Sequence, residues 1–116
     1  MLEFQHRQEA DNITVLALKG RLDALTAPEL RPTIDGLVER GHNRVVCDLH
    51  DLETIDSSGV GAIVSLFKRS RMKGGDVKIA RLRGQPKEIF RLLRLDRAFE
   101  LCEELQTAIA RLKQTR

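Results

Sequence analysis

Residues 44–67 read RVVCDLHDLETIDSSGVGAIVSLF, and this stretch decides the fold. Its first part, residues 45–49 (VVCDL), is apolar and rich in β-branched residues, which predicts a buried strand. A polar segment that predicts a turn comes next. One face of a helix is then indicated by apolar residues at i, i+3, i+4 and i+7: Val60, Ile63, Val64 and Phe67. The segment 56–59 (DSSG) therefore lies where a buried strand gives way to a buried helix.

The start of this predicted helix is polar. Backbone N–H groups without partners and a partial positive charge are found in the first turn of a helix, so Ser and Asp are preferred there as caps. A hydroxyl at this position is exposed where negative charge is tolerated. Gly59 and Gly61 would let another backbone or a ligand come close. The spacing leaves two interpretations open: Asp56 or Ser57 merely caps the helix, or a serine is presented to another molecule.

The flanking segments alternate strands with helices. Strands are predicted over residues 2–6, 13–18, 76–82 and 98–102, and a turn at Asp11-Asn12 predicts that the first pair is antiparallel. Helices are predicted after Thr26, from Gly84 and near the C-terminus. We therefore predict one α/β domain over residues 1–116, with a mixed, mainly parallel β-sheet of four to five strands and about four helices packed on it.

Local signals refine two of these helices. Residues 20–23 (GRLD) are predicted to leave the sheet, and residues 26–29 (TAPE) form a capping-box pattern with Thr26 at the cap. Pro32 predicts a kink or a late helix start, and Gly41 predicts the helix end. The third helix is expected to open at residues 84–86 (GQP) and to carry Ile89, Phe90, Leu92 and Leu93.

Composition and charge restrict the function classes. The 116 residues are 41% hydrophobic and 32% charged, which is typical of a globular domain, and no apolar run approaches the roughly 20 residues that span a bilayer. Residues 1–10 lack an apolar signal segment, so a cytoplasmic location without membrane insertion is expected. Residues 1–67 hold 6 Lys/Arg against 11 Asp/Glu, whereas residues 68–97 hold 11 against 3. Because no aromatics interleave the basic segment, a solvated helix face or a docking face for an acidic protein is favoured over nucleic-acid binding.

The sequence lacks the residue spacings that are typical of metal sites, catalytic nucleophiles and nucleotide-binding loops. His6, His42 and His50 are not spaced as metal ligands, and no nucleophile elbow, phosphate loop or complete dinucleotide fingerprint is present. Cys47 and Cys102 are expected to be buried, reduced thiols. We therefore predict a protein that is not an enzyme and that needs no cofactor or metal.

Residues 49–61, with the core IDSSGVG at 55–61, resemble the signature of the STAS domain, most closely in the single-domain anti-sigma factor antagonists of bacteria. The segment 20–23 (GRLD) is similar to the first conserved loop of that family. The resemblance implies a switch protein. Unphosphorylated, such an antagonist binds an anti-sigma factor that is also a serine kinase and frees a sigma factor; phosphorylation of the first serine, here Ser57, ends the binding. A serine phosphatase of the PP2C type then resets the switch.

The resemblance also implies which residues form the site. Asp23 is expected near Ser57, Ser58 is expected to help cap the helix, and Thr54 is a weaker phosphorylation candidate. The partner-binding set comprises Arg21, Asp23, Thr26, Asp56, Ser57, Ser58, Gly59, Gly61, Ser65 and Lys68.

Two alternatives draw on the basic segment 68–97. Some STAS domains are accessory subunits that dock on the ATPase of a membrane lipid transporter, and this segment could suit such docking. A binder of small anions or nucleic acid is the other alternative, and salt-dependent retention on DNA would test it.

Overall fold

The computed structural model describes residues 1–114 and contains one five-stranded sheet in the spatial order β1-β2-β3-β4-β5. The strands are β1 (Leu2–Glu9), β2 (Ile13–Leu22), β3 (Arg44–Ile55), β4 (Asp76–Ala80) and β5 (Glu100–Cys102). The α-helices are α1 (Ala27–Glu39), α2 (Ser57–Met72), α3 (Gly84–Leu92) and α4 (Leu105–Lys113). Short 3-10 turns lie at Ala10–Asn12 and Leu95–Arg97. The predicted α/β class and the four helices are confirmed.

The sheet is mixed because only its first pair is antiparallel. β1 and β2 are joined by the tight turn at Ala10–Asn12, where Asp11 and Asn12 adopt the positive φ angles that these residue types tolerate. β2, β3, β4 and β5 are parallel neighbours, and helices α1, α2 and α3 make the crossovers between them. Parallel strands connected in this way place the starts of α1 and α2 at the same edge of the sheet.

Helices cover both faces of the sheet. α1, α2 and α3 pack on one face around a core that includes Leu16, Leu30, Leu49, Leu66 and Phe90. α4 covers part of the other face, where its apolar side meets residues of β2 and β3: Ile13, Val15 and Val46. The middle of β3 is therefore buried on both sides, as its continuous apolar sequence predicts.

β2 and β3 are longer than predicted. The expected turn after Leu49 is wrong, because β3 continues to Ile55; the expected departure of residues 20–23 from the sheet is also wrong, because β2 continues to Leu22. The two strands stay paired up to Leu22 and Ile55 with two register shifts, whereas the pairing of β3 with β4 ends at Asp48. The extension brings the starts of α1 and α2 together beyond the end of β4.

The predictions for α1 need two corrections. The helix is one continuous element of 13 residues that includes Pro32, so the late start is wrong. The capping box is also wrong, because the Thr26 side chain makes no cap hydrogen bond. The predicted end at Gly41 is confirmed: this residue has a φ of 78°, and His42 N donates to Leu37 O at 2.8 Å, which closes a Schellman turn.

The apolar residues that α3 was predicted to carry are only partly buried. Phe90 is fully buried, but Leu92 and Leu93 are 76% and 53% exposed. They lie at the last turn of α3 and just after it, before the 3-10 turn that leads to β5. Within residues 1–114 no helix has the length and apolar content to cross a bilayer.

Candidate functional site

Ser57 is the first residue of α2, and its side chain is exposed. Asp56, the residue before it, has extended backbone and caps the helix, because its Oδ1 accepts a hydrogen bond from Gly59 N at 3.0 Å. The prediction that Ser58 helps to cap the helix is therefore not supported. Within residues 1–114, the Ser57 hydroxyl makes no hydrogen bond. The cap of α2 therefore does not use this hydroxyl, which is available to another molecule.

Asp56 also ties the start of α2 to the loop that precedes α1. Its Oδ2 accepts a hydrogen bond from Ala24 N at 3.1 Å, and its own N–H donates to Leu22 O at 3.2 Å. One carboxylate therefore serves two backbone segments. The segment that follows β2 is brought beside Ser57, as the family resemblance implies for this region.

The loop of residues 23–26 is held by its own hydrogen bonds. The Asp23 carboxylate accepts from the N–H groups of Leu25 and Thr26 at 3.0 and 3.1 Å. The Thr26 hydroxyl donates to Arg21 O at 2.8 Å and accepts from Asp23 N at 2.9 Å. Asp23, rather than Thr26, thus satisfies the free amides before α1. Thr26 is only 6% exposed, so its burial leaves it a supporting role beneath the loop surface.

The environment of Asp23 favours its charged form. Partial burial raises the pKa of its carboxyl, but hydrogen bonds from the Thr26 and Leu25 amides and from the Thr26 hydroxyl, with the positive charge of Arg21, lower it more. The net pKa lies below the ordinary value of 3.8. Arg21 contacts the outer Asp23 oxygen at 3.4 Å, and its side chain is 59% exposed. Asp23 is therefore an anion at neutral pH, and its carboxylate is hydrogen-bonded mainly within its own loop.

The two glycines of the first turn differ in function. A Cβ on Gly59 would lie 2.5 Å from Leu22 O and 2.7 Å from the Ile55 Cγ1 atom, so this residue lets α2 pack against the ends of β2 and β3. A Cβ on Gly61 would meet nothing within 4 Å. Gly59 is buried and supports the site from within, whereas Gly61 is part of its surface.

The remaining predicted contacts lie along α2. Ser57, Gly61, Ser65 and Lys68 follow each other at spacings of three or four residues, which places them on one side of the helix. Ser65 is half-buried and Lys68 is exposed. This stripe extends along the helix over roughly 16 Å. Ser58 is half-buried beside it, and Thr54 is exposed near the end of β3.

Sequence reasoning missed Gln85, which holds the end of β3. Its Oε1 accepts from Ile55 N at 2.9 Å, and its Nε2 donates to Ile55 O at 3.0 Å. The pairing of β3 with β4 has already ended here, so the Gln85 side chain makes the hydrogen bonds that a neighbouring strand would make. It thereby fixes the peptide just before Asp56. No sequence signal distinguishes this glutamine from any other near a helix start.

Sequence reasoning also missed Leu25, whose side chain is 83% exposed on the loop bonded to Asp56. The signal was present in the sequence: a large apolar residue between Asp23 and Thr26, where no apolar periodicity requires one.

Both cysteines are buried free thiols, as predicted, and burial raises the pKa of Cys47 to about 12, which makes a thiolate rare. In the described part of the chain no cluster of three metal-ligating side chains occurs. His50 lies 3.0 Å from an Asp51 oxygen at the surface.

Comparison with known proteins identifies the family of this chain. A family model described as the STAS domain matches residues 6–108. The chain belongs to the STAS domain family. The anti-sigma-B factor antagonist of Bacillus subtilis is 32% identical to this STAS domain over 75 residues, which are 65% of this chain and 68% of that protein.

Solved structures share the fold. An anti-sigma factor antagonist from Mycobacterium paratuberculosis superposes with a TM-score of 0.86 at 23% identity, over 97% of this chain and 95% of the other. The antagonist SpoIIAA in its unphosphorylated form gives a TM-score of 0.74 at 19% identity, over 96% and 98%. The Bacillus cell fate determinant SpoIIAA in its phosphorylated form gives 0.76 at 21% identity, over 94% and 98%. These likenesses concern the fold.

Proposed function

We propose that this STAS domain is an anti-sigma factor antagonist that is switched at Ser57. In the unphosphorylated state it binds an anti-sigma factor that is also a serine kinase, and a sigma factor is released. The observation that carries the proposal is the exposed Ser57 hydroxyl at the first position of α2, which Asp56 leaves free by capping the helix itself. The family membership and the name of the Bacillus subtilis relative support it.

A phosphate on Ser57 would act on the partner more than on the domain. Phosphorylation adds about −1.5 to −2 charges at neutral pH, which the start of a helix accommodates. That SpoIIAA has this fold in both its unphosphorylated and phosphorylated forms supports the same point. A partner surface packed on a neutral hydroxyl would bury this charge without a counter-charge, and the Asp56 carboxylate adds to the negative potential. Binding is therefore lost while the fold is kept.

The partner is proposed to contact the exposed stripe of α2 and the loop beside it. Ser57, Gly61, Ser65 and Lys68 supply the stripe, and Arg21 is exposed near the loop. The other predicted partner-binding residues, Asp23, Thr26, Asp56, Ser58 and Gly59, are buried or half-buried, and we assign them mainly the task of holding that surface in place. Removal of the phosphate by a PP2C-type serine phosphatase would restore binding.

The test is phosphorylation by the serine kinases of the source organism with ATP, with the modified residue located by mass spectrometry. One phosphate on Ser57, absent in Ser57→Ala and unchanged in Ser58→Ala and Thr54→Val, is the expected result. Ser57→Asp should weaken binding to that kinase by about 30-fold or more, since an unpaired buried charge costs on the order of 2 kcal/mol. A phosphate on another residue, or undiminished binding by Ser57→Asp, would refute the proposal.

A second candidate function has one specific observation in its favour. Leu92 and Leu93 are exposed at the end of α3 beside exposed arginines, among them Arg91 and Arg94, which would suit docking on the ATPase subunit of a transporter. A pull-down with wild type and Ser57→Asp separates the candidates. A transporter ATPase that is captured equally by both proteins, and lost with Leu92→Ala, would favour the second candidate.

A further inference from the structure

Five large apolar side chains are strongly exposed within residues 1–114: Met1, Leu25, Met72, Leu92 and Leu93. Single exposed leucines are ordinary on soluble proteins, and exposure alone does not mark a site. Leu25 differs from the other four in its position, because its loop is hydrogen-bonded to the residue that precedes Ser57.

The backbone that carries Leu25 is fixed. Its own N–H donates to the Asp23 carboxylate at 3.0 Å, and the neighbouring Ala24 N–H donates to Asp56 at 3.1 Å. On the other side, Thr26 is buried and bonded through its N–H and its hydroxyl. Because the backbone under Leu25 is already ordered, the loop loses little backbone entropy when a partner covers this side chain, and such pre-organisation favours binding.

The surface around Leu25 is continuous with the proposed phosphorylation site. Ala24 lies beside Leu25 and Asp56 beside Ser57, so one hydrogen bond joins the two segments. We use the term switch patch for five exposed residues at the starts of α1 and α2, none of which carries a charge: Ala24, Leu25, Pro28, Ser57 and Gly61. Charged residues adjoin this patch: Arg21 and Glu29 are exposed, and Asp56 is half-buried. A large apolar side chain in an uncharged centre with a charged rim is suited to an apolar pocket in a protein partner.

We infer that Leu25 is the apolar anchor of the switch patch and inserts into an apolar pocket of the kinase partner. The inference rests on the proposed function and adds the chemistry by which the partner is recognised. It also gives a physical reason why a single phosphate suffices. A Ser57 phosphate would lie at the rim of a pocket that Leu25 has cleared of water, where an unpaired charge is far more costly than on an open surface.

The test measures binding and phosphorylation with the kinase that modifies Ser57, using purified full-length chains. Leu25→Ala should raise the Kd roughly 10- to 100-fold, and Leu25→Met should restore most of the affinity. Leu92→Ala is the matched control, because Leu92 is similarly exposed at 76% but lies at the far end of α3. We expect less than about a twofold change in its Kd and, since both side chains are exposed, unchanged melting temperatures for both variants.

Kinetics give a second readout that a merely structural role would not produce. Leu25→Ala should raise the KM for phosphorylation of Ser57 with kcat nearly unchanged, because the anchor would contribute the same binding before and during phosphoryl transfer.

If Leu25→Ala binds like wild type while Ser57→Asp does not bind, the anchor is refuted and the switch stands. If Leu92→Ala loses binding instead, the interface lies at the end of α3. If Ser57→Asp binds fully, the proposed function fails and this inference with it.

Discussion

Helices α1 and α2 begin side by side, and an aspartate precedes each, but the two helix starts treat their hydroxyl residues in opposite ways. Before α1, Asp23 accepts from two amides of its own loop, and the Thr26 hydroxyl is buried between Arg21 O and Asp23 N. Before α2, Asp56 caps the helix directly, and the hydroxyl of Ser57 remains outside. An aspartate and a hydroxyl residue therefore build a closed turn in one place and an open site in the other.

The difference follows from where the hydroxyl lies relative to the cap. Thr26 lies before the first helical residue of α1, where its side chain can reach the loop backbone. Ser57 is itself the first helical residue of α2, after the cap, and its side chain turns toward solvent. The Ser57 hydroxyl is thus available for modification because Asp56 supplies the cap by accepting from Gly59 N.

The largest effect is expected from the glycine that lets α2 pack beneath Ser57. In Gly59→Ala the new methyl would lie 2.5 Å from the Leu22 carbonyl oxygen, a backbone atom that cannot move without shifting β2. We expect a loss of about 3 kcal/mol in the free energy of unfolding, measured by urea denaturation. Gly61→Ala is the matched control; its methyl meets open space and should be neutral or stabilising by up to about 1 kcal/mol. Equal effects of the two substitutions would contradict the proposed packing.

The next effect concerns the carboxylate that joins the two helix starts. Asp56→Ala removes the acceptor for both Gly59 N and Ala24 N and should cost about 2 kcal/mol of unfolding free energy. Asp56→Asn keeps one acceptor oxygen and turns an NH₂ group toward the other amide, so about half of that loss is expected. Hydrogen exchange at Ala24 should become faster in both variants. An unchanged exchange rate at Ala24 in Asp56→Ala would show that the loop is held without this bond.

The contrast between the hydroxyls gives a third prediction. Thr26→Ala should lower the free energy of unfolding by roughly 1 to 2 kcal/mol, because it leaves the Arg21 carbonyl and the Asp23 amide without their partner. Ser57→Ala should change it by less than about 0.5 kcal/mol, since the side chain is exposed and the cap remains. Both values come from the same denaturation experiment. A cost for Ser57→Ala that equals that of Thr26→Ala would favour the interpretation that Ser57 is only structural.

Most of the fold could be predicted from the sequence because local patterns and long-range packing agree in it. The apolar run in β3 and the helical spacing in α2 specify buried elements, and their junction at Asp56 and Ser57 is where the structure places the candidate site. Gly41 was also predictable, because a helix end in the left-handed conformation favours glycine.

The wrong predictions concern places where hydrogen bonds from side chains determine the backbone conformation. The polar segment before Ile55 resembles a turn, but it is a strand because β2 extends beside it and Gln85 completes its other edge. The capping box at Thr26 failed because the Thr26 hydroxyl is engaged by Arg21 O and Asp23 N, and the Glu29 amide donates to the Thr26 carbonyl instead. Pairings between side chains and distant backbone groups leave no periodic trace in a sequence, so Gln85 could not be anticipated.

The smallest expected effect is a pH dependence of the unfolding free energy that arises from Asp23, which precedes α1. Because the folded pKa of Asp23 lies below its ordinary value, its carboxylate stabilises the fold above the unfolded pKa, and this contribution is lost as the pH falls through the folded pKa. The unfolding free energy of wild type should exceed that of Asp23→Asn by a constant amount near neutral pH, and the difference should shrink below about pH 4. A carboxyl ¹³C titration of Asp23 should have its midpoint below 3.8. A midpoint at or above that value would show that the Leu25 and Thr26 amides do not hold this carboxylate, and the rigidity ascribed to the loop of Leu25 would then lack its main support.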